Sequence, residues 1–367
     1  MKKLTLLCIT AALTLCCLFA FADSAYDPLS LPSLKDFYAG YFDFGSSLNS
    51  NELQKKSYLP FYAAQYSIIT PENELKPENV LDIPNSKKAA QDDQGNVVLS
   101  FYPVKPLLAY AKEHGLKVHG HVLFWHSQTP DEFFRVSYSK TEEYVSRDIM
   151  LKRMENYVRQ IMDYMQTNYP GLIVSWDVVN EAIDDSTGNL RESNWTKIVG
   201  DDFVEQAFRF ARAYAPEGTL LFYNDYSTPY QPKLNGILSL LDELNANALI
   251  DGCGMQFHYQ MSTPTLSQVD TAMRRIIDKG LLIRISEMDI LVDDNTEAQF
   301  QKQATRYADL MKVILKYADS VIAVQTWGTR DSMSWKSGNF PLLFNGNLTP
   351  KPAFDALTDP AILPAST

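Results

Sequence analysis

The feature that most constrains the fold is a repeated alternation of short apolar runs with longer amphipathic stretches. Eight apolar runs of strand length are present, at residues 37–44, 65–70, 116–125, 172–178, 219–223, 248–257, 280–285 and 320–327. Between them, apolar residues recur at steps of three and four, most clearly at 151–165, 203–211 and 307–315, which is typical of amphipathic helices. Parallel strands need crossover connections of this kind, so the pattern predicts a parallel sheet.

Eight repeats of strand and helix favour one closed α/β barrel, the (β/α)8 or TIM barrel, over an open doubly wound sheet. An open sheet of that type has a glycine-rich turn after its first strand, and the sequence contains no G-x-G-x-x-G motif. No linker rich in Pro, Gly or Ser divides residues 23–367, so we expect them to form one catalytic barrel domain. Functional residues of such barrels lie at the carboxyl ends of the strands.

The first 22 residues have the pattern of a secretory signal peptide. Lys2 and Lys3 give a charged start, an apolar run follows, and a small-x-small cleavage site ends at Ala22. A retained membrane anchor and a lipoprotein modified at Cys16 or Cys17 are the alternatives. We expect the leader to be cleaved after Ala22 and the protein to be secreted or periplasmic.

Charge and cysteine content exclude several classes of protein. The formal net charge is −11, and it becomes −13 once the two leader lysines are lost. Because such a surface repels phosphate backbones, we expect no nucleic-acid partner. No apolar run of membrane-spanning length follows the leader, so we expect no membrane association after its removal, and we expect a monomer. Cys253 is the only cysteine beyond the leader, which excludes an internal disulfide and predicts a buried side chain.

Two glutamates follow apolar strands directly, and they are the strongest candidates for catalysis. Glu181 comes at the end of the fourth predicted strand and Glu287 at the end of the seventh. A strand-end glutamate can also cap a helix or pair with an arginine. Two of them at one barrel mouth, however, supply the facing carboxylates that cleavage of a glycosidic bond needs. Asn180, next to Glu181, can donate a hydrogen bond to a sugar hydroxyl beside that bond.

The histidines leave a metal site as an alternative. His119 and His121 alternate along the third predicted strand, as ligand pairs do in metal-dependent hydrolases built on barrels. Such sites need further ligands from later strands, and only His258 follows. We therefore expect no metal and no cofactor, and we interpret His119 as a core histidine. His114, at a helix end, is expected on the surface.

Aromatic residues at the strand ends fit a sugar-binding cleft. Trp125, Trp327 and Trp335 lie at or just beyond the ends of predicted strands, and Tyr226 and Tyr259 are placed similarly. Tryptophans in such positions are expected to be exposed, and their flat faces stack well on the CH faces of sugar rings. Trp176, inside a strand, is expected in the core.

Ten short motifs, in order along the chain, resemble those of the family 10 glycoside hydrolases, the endo-β-1,4-xylanases. They are TPENELK at 70–76, HGHVLFWHSQ at 119–128, WDVVNEA at 176–182, LRESNW at 190–195, YNDY at 223–226, QFH at 256–258, SEMD at 286–289, WGTRD at 327–331, SW at 334–335 and PKPA at 350–353. The resemblance runs from about residue 37 to residue 357, nearly the whole chain after the leader.

The resemblance implies a retaining endo-1,4-β-xylanase that acts on xylan and xylo-oligosaccharides by double displacement. Glu181 would be the acid/base and Glu287 the nucleophile. His258 would hydrogen-bond the nucleophile, Asp289 would orient the imidazole, and Asn180 would hold the 2-hydroxyl of the sugar at the cleavage point. The remaining matched residues would bind substrate, and they are Glu72, Asn73, Lys76, His121, Trp125, His126, Gln128, Asn224, Gln256, Trp327 and Trp335.

Three other functions are weighed against this one. A related barrel glycosidase could act on another β-1,4 glycan, such as cellulose or mannan, but related barrels lack the matches at 70–76 and 119–128. A catalytically silent sugar-binding protein would be expected to have lost Glu181 or Glu287, and both are present. A metal-dependent amide hydrolase would need more histidines.

Overall fold

The computed structural model describes residues 26–364, and in this range eight parallel strands close into a barrel. The strands are β1 (Asp43–Leu48), β2 (Ile68–Pro71), β3 (Lys117–Gly120), β4 (Ile173–Asn180), β5 (Leu220–Asp225), β6 (Gly252–Met255), β7 (Leu282–Leu291) and β8 (Val321–Thr326). Each strand pairs in parallel with the next, and β8 pairs in parallel with β1. This closed ring confirms the predicted (β/α)8 barrel.

Helices connect the strands. The α-helices are α1 (Leu34–Phe37), α2 (Leu59–Gln65), α3 (Pro77–Val80), α4 (Ile83–Ala89), α5 (Lys105–Glu113), α6 (Arg147–Asn168), α7 (Asn194–Ile198), α8 (Phe203–Tyr214), α9 (Lys233–Ala246), α10 (Leu266–Ile277), α11 (Glu297–Leu315) and α12 (Pro352–Thr358). Single 3-10 turns cover Pro28–Ser30, Glu52–Gln54, Lys56–Tyr58, Asp131–Phe134, Val136–Tyr138, Asp331–Met333, Ser337–Asn339 and Pro360–Ile362. The three helical patterns predicted from the sequence fall within α6, α8 and α11.

Side-chain caps set the starts of two of the long helices. The Ser146 hydroxyl accepts the N–H of Ile149 at the start of α6. At the start of α10, Thr265 and Gln268 form a capping box, in which each side chain bonds the backbone of the other residue. Helix α5 ends at an exposed C-cap, His114, as the sequence predicts.

The core contains the predicted Trp176 and Cys253, both buried. Trp176, on β4, packs against the backbone of Gly120 on β3. A Cβ atom at position 120 would lie 2.1 Å from the Trp176 ring, so only glycine allows these two strands to approach with the indole between them. This close contact fixes β3, which leads to the cleft residues His121 and Trp125, against β4, which leads to Glu181.

The predicted bounds of the first strand are wrong. The strand predicted at 37–44 begins only at Asp43, because Phe37 belongs to α1. The Ser33 side chain accepts the N–H of Asp36 and caps that short helix, so the preceding apolar residues fold locally as a helix.

The third and seventh strands also differ from the prediction. The strand predicted at 116–125 stops at Gly120, and the chain pairs again only at Phe124–Trp125. Strand β7 continues to Leu291, because its last residues pair with a short strand, His258–Gln260. Glu287 therefore lies within β7 rather than at its end.

Within residues 26–364 no helix is long and apolar enough to cross a bilayer. The predicted signal peptide, residues 1–22, lies outside the described part of the chain.

Candidate active site

A cleft of about 550 Å³ opens at the carboxyl ends of the barrel strands. It brings together most of the residues predicted for the site, although they come from loops and strands spread over the whole chain. The cleft is lined by Glu72, Asn73, Lys76, His121, Trp125, Gln128, Asn180, Glu181, Tyr226, Ser227, Gln256, His258, Glu287, Trp327 and Trp335.

Glu287 is held in a buried hydrogen-bond network at the floor of the cleft. Its side chain is only 6% exposed, and its Oε2 atom lies 3.1 Å from Nε2 of His258. The Asn224 amide donates to the other carboxylate oxygen at 2.8 Å. Nδ1 of His258 lies 2.9 Å from Oδ2 of Asp289, so the imidazole bridges two carboxylates.

The charges of this network are fixed by its own members. Burial alone would lower the pKa of His258, but the carboxylates of Asp289 and Glu287 outweigh that effect and raise it to about 10. Burial would likewise raise the pKa of Glu287, but the hydrogen bond from His258 and the nearby imidazole of His121 hold it below the usual value. At neutral pH Glu287 is therefore a carboxylate beside an imidazolium.

Glu181 has different surroundings, although it lines the same cleft. It follows the last residue of β4 with a left-handed backbone, φ 56°. The indole N–H of Trp125 donates to its Oε2 atom at 2.9 Å, and the Gln256 amide donates to Oε1 at 2.9 Å. Both donors are neutral groups.

A chain of amides links the two glutamates. The side-chain oxygen of Asn180 accepts from the side-chain amide of Asn224 at 3.0 Å and from that of Gln256 at 3.3 Å. Those same two amides donate to Glu287 and Glu181 respectively. Within the described residues the side-chain amide nitrogen of Asn180 donates to no protein group, so it is free to donate to a ligand in the cleft.

A second polar cluster lies at the side of the cleft formed after β2. The Lys76 ammonium donates to the side-chain oxygens of Asn73 at 3.1 Å and Gln128 at 2.8 Å. Burial raises the pKa of Glu72, whose carboxylate accepts from Asn49 at 2.8 Å, and burial lowers the pKa of Lys76. The cluster presents donors and acceptors together, as sugar hydroxyls require.

The tryptophans line the cleft, but they differ in exposure. Trp335 is 54% exposed, as predicted, and its indole N–H donates to Asp289 at 2.8 Å. Trp327 is only 7% exposed, so the prediction of an exposed ring is wrong there. Its ring packs edge-on against His121, with 5.3 Å between the ring centroids, and this contact buries it.

Three predicted residues lie outside the cleft lining. Asn224 is buried beneath Glu287 and reaches the cleft only through its hydrogen bonds, and Asp289 lies behind His258. His126 is exposed and borders a hollow of about 10 Å³ beside the cleft, with Arg191 among its neighbours. The cleft also contains Tyr226, which the sequence places at a strand end, and Ser227, which was not among the predicted residues. Its position two residues after β5 is the feature that could have identified Ser227.

His119 on β3 and His121 just after it contact one carboxylate. Asp177 Oδ2 lies 3.0 Å from Nε2 of His119 and 2.9 Å from Nδ1 of His121. His119 is 1% exposed, which confirms its place in the core, and burial lowers its pKa to about 4. In the part of the chain that the structure describes, no three His, Cys, Asp or Glu side chains are arranged to hold a metal ion.

Comparisons with known proteins point in one direction. The model of the glycosyl hydrolase family 10 matches residues 33–360. The chain is 38% identical over 334 residues to the bifunctional endo-1,4-β-xylanase XylA of Ruminococcus flavefaciens, a match that covers 89% of this chain and 34% of that protein. It is 37% identical over 340 residues to endo-1,4-β-xylanase B of Butyrivibrio fibrisolvens, covering 90% of this chain and 53% of that protein. The chain thus spans about a third to a half of these relatives.

A solved structure supports the same grouping. The CBM22-1 and family 10 modules of a Clostridium thermocellum endo-1,4-β-D-xylanase, complexed with xylohexaose, superimpose with a TM-score of 0.84 at 33% identity. The match covers 90% of this chain and 68% of that one.

Proposed function

This chain belongs to glycosyl hydrolase family 10, and we propose that it is an endo-1,4-β-xylanase that hydrolyses internal bonds of xylan and xylo-oligosaccharides. The two relatives above are named as endo-1,4-β-xylanases, and the solved relative binds xylohexaose. The observation that carries the proposal is the pair of glutamates in one cleft, joined through three amide side chains.

We propose a retaining double displacement. The Glu287 carboxylate attacks the anomeric carbon and forms a glycosyl ester while the glycosidic C–O bond breaks, and Glu181 gives its proton to the departing oxygen. In the second step Glu181 takes a proton from water, whose oxygen attacks the anomeric carbon and releases Glu287. The ionised state of Glu287 beside the His258 imidazolium supports its role as nucleophile.

The neighbouring groups fit the sugar on which this chemistry occurs. The free amide nitrogen of Asn180 can donate to the 2-hydroxyl, a contact that strengthens as the oxocarbenium-like transition state forms. Lys76, Asn73 and Glu72 would hold the hydroxyls of the next sugar toward the non-reducing end. The exposed ring of Trp335 offers a flat face for stacking.

A reducing-sugar assay on birchwood-type xylan, carboxymethyl-cellulose and mannan tests the substrate. We expect rapid release of reducing ends from xylan and little from the other two, with Glu287→Ala as the control for contaminating enzymes. Faster hydrolysis of cellulose or mannan would assign the protein to another β-1,4 glycan. Xylan binding without hydrolysis would indicate a sugar-binding protein.

The stereochemistry of the product tests the mechanism separately. Retention requires the two carboxyl groups to lie about 5–5.5 Å apart, so that Glu287 attacks directly. Proton NMR of freshly released sugar should then show the β anomer before mutarotation. An initial α anomer would mean that water attacks first and that Glu287 acts as a base.

We also propose that the protein is exported and that its leader is removed after Ala22. The charged start, the apolar run and the small-x-small site support this proposal. N-terminal sequencing of the exported protein should find Asp23 first. Recovery of Met1, or of a lipid-modified cysteine, would contradict it.

A further inference from the structure

Hydrogen bonds hold the backbone of Glu181 on both sides of its Cα atom and so fix the direction of its side chain. Its φ of 56° lies in the left-handed region, which a residue with a side chain adopts only when its surroundings hold it there. The Glu181 N–H donates to the carbonyl of Asn224 at 2.9 Å, and Arg191 Nε donates to the Glu181 carbonyl at 3.0 Å. The next N–H, that of Ala182, donates to the hydroxyl of Tyr223 at 3.0 Å.

The Tyr223 hydroxyl uses its full hydrogen-bonding capacity here. A phenol has one proton and two lone pairs. It accepts the N–H groups of Ala182 and Ile183, at 3.0 and 3.2 Å, and donates its proton to Asp225. Tyr223 and Asp225 are completely buried, so no water can replace any of these bonds.

The same groups continue into a closed circuit that returns to Glu181. Asp225 pairs with Lys233 at 2.7 Å, and Lys233 pairs with Asp185 at 2.6 Å. Asp185 accepts from the hydroxyl of Tyr226 at 2.7 Å, and that hydroxyl accepts from Arg191 at 3.0 Å. We call this circuit the Glu181 ring, and its members are Tyr223, Asp225, Lys233, Asp185, Tyr226 and Arg191.

The buried half of the Glu181 ring, Tyr223, Asp225 and Lys233, has a stiff geometry. Lys233 is 1% exposed and Asp225 is 0% exposed, and buried charges are tolerated only when their partners stay in place. Asp185 is exposed and Tyr226 and Arg191 are half-buried, so it is the buried half that has little freedom to move without leaving a charge unpaired. Tyr223 passes that rigidity to the peptide group that follows the Glu181 Cα atom, because it accepts the Ala182 N–H of that group while Arg191 donates to its Glu181 carbonyl. The peptide group before the Cα atom is held by the bond from the Glu181 N–H to the Asn224 carbonyl.

We propose that Tyr223 is a positioning residue that, with Arg191, aims the acid/base carboxyl of Glu181 at the leaving oxygen. The inference rests on the proposed function, because it takes Glu181 to be the proton donor. Tyr223 touches neither the substrate cleft nor the reacting atoms. It acts through the backbone, whereas Trp125 and Gln256 bond the side chain.

The test is the dependence of rate on the leaving group, which a loss of stability alone does not change. A misplaced acid slows departure of poor leaving groups, such as a sugar of xylan, but not of 2,4-dinitrophenolate, which needs no proton. We expect Tyr223→Phe to lower kcat/KM for xylan by roughly 10²-fold, the scale of a 1 Å misplacement. For 2,4-dinitrophenyl β-xylobioside we expect kcat/KM to change by less than about twofold. The reason is that kcat/KM reports only the first step, and with this leaving group that step needs no acid.

Tyr38→Phe is the matched control. Tyr38 is also completely buried, and its hydroxyl makes one bond, to the Leu357 carbonyl at 2.6 Å, far from the cleft. Both variants are expected to lower Tm, but only Tyr223→Phe should steepen the plot of log(kcat/KM) against leaving-group pKa across a series of aryl xylobiosides. An unchanged slope in folded Tyr223→Phe protein would overturn the proposal.

Arg191→Ala keeps the inference testable if Tyr223→Phe does not fold. Arg191 is only partly buried, and its replacement by alanine removes the hydrogen bond to the Glu181 carbonyl. We expect the same steeper slope, and a slope equal to that of the unaltered protein would contradict the proposal. If the unaltered protein cleaves aryl cellobiosides but not xylan, the substrate assignment fails, and the slope measured on those cellobiosides still decides the role of the ring.

Discussion

The surroundings of Glu287 and Glu181 differ in kind, although both residues are glutamates in one cleft. Glu287 lies within a strand, is nearly buried, and faces an imidazolium that is itself held by Asp289. Glu181 follows a strand in a left-handed conformation, is half-buried, and accepts from the neutral N–H groups of Trp125 and Gln256. One glutamate is controlled by charge and the other by backbone geometry.

In the proposed mechanism, this difference explains how one residue type performs two tasks. A nucleophile must remain ionised, and a fixed positive partner achieves that within a buried site. An acid/base must both give and take a proton at the same oxygen, so a permanent cation bonded to its carboxyl group would oppose the giving of the proton. The surroundings, rather than the residue, assign the roles.

Of the changes to the two glutamates and their surroundings, removing the Glu287 carboxylate should have the largest effect. Glu287→Ala should lower turnover of xylan and of aryl xylobiosides alike, by more than about 10⁴-fold, because no glycosyl ester can form. Initial rates with 2,4-dinitrophenyl β-xylobioside measure this. Substantial activity on the activated substrate would show that Glu287 is not the nucleophile.

Removing the His258 imidazolium should make the Glu287 carboxylate harder to keep ionised, and it should not change the surroundings of Glu181. His258→Ala removes a charged hydrogen bond, usually about 1.5–3 kcal/mol, so we expect roughly a 10- to 100-fold loss at neutral pH. The pKa of Glu287 should rise, because its largest lowering contribution is lost while its burial stays. Activity needs ionised Glu287 and falls as the pH drops through that pKa, so the acid limb of kcat/KM should move to higher pH.

The exposed His114 provides the control for that pH profile. His114→Ala should leave the acid limb where it is, because His114 caps α5 outside the cleft. An acid limb that stays fixed in His258→Ala as well would mean that the imidazolium does not set the charge of Glu287.

The smallest expected effect separates stacking from hydrogen bonding at Trp335. Trp335→Phe keeps an aromatic face but removes the N–H that donates to Asp289. Asp289 would then bind His258 with one constraint fewer, and we expect a loss of about two- to tenfold in kcat, the scale of one net hydrogen bond. A change confined to KM would indicate that Trp335 acts on the substrate alone.

The sequence predicts the barrel well because the alternation of apolar runs and helical stretches is a local property. It fails at the start of the first strand for a local reason, because the Ser33 cap begins a short helix that includes Phe37. It fails at β7 because a partner elsewhere decides the outcome, since Asp289–Leu291 pair with His258–Gln260 and extend the strand past Glu287.

The site shows the same division. The motifs locate the residues of the cleft, because most of them lie in the last part of a barrel strand or just after it. The burial of Trp327 depends on its contact with His121, which follows β3 rather than β8, and no pattern along the chain shows this contact. Lysine side chains are usually exposed, but Lys233 is buried. Its burial depends on two carboxylates that are distant in sequence, Asp225 at the end of β5 and Asp185 in the loop after β4.

Azide rescue tests most directly the claim that surroundings assign the two roles. Glu181→Ala should still be glycosylated by 2,4-dinitrophenyl β-xylobioside, whose leaving group needs no acid, and should then stall because no base activates water. Azide needs no base, so it should restore turnover and yield a β-glycosyl azide, identified by NMR. Rescue of Glu287→Ala with an α-glycosyl azide, and no rescue of Glu181→Ala, would show that the two roles are reversed.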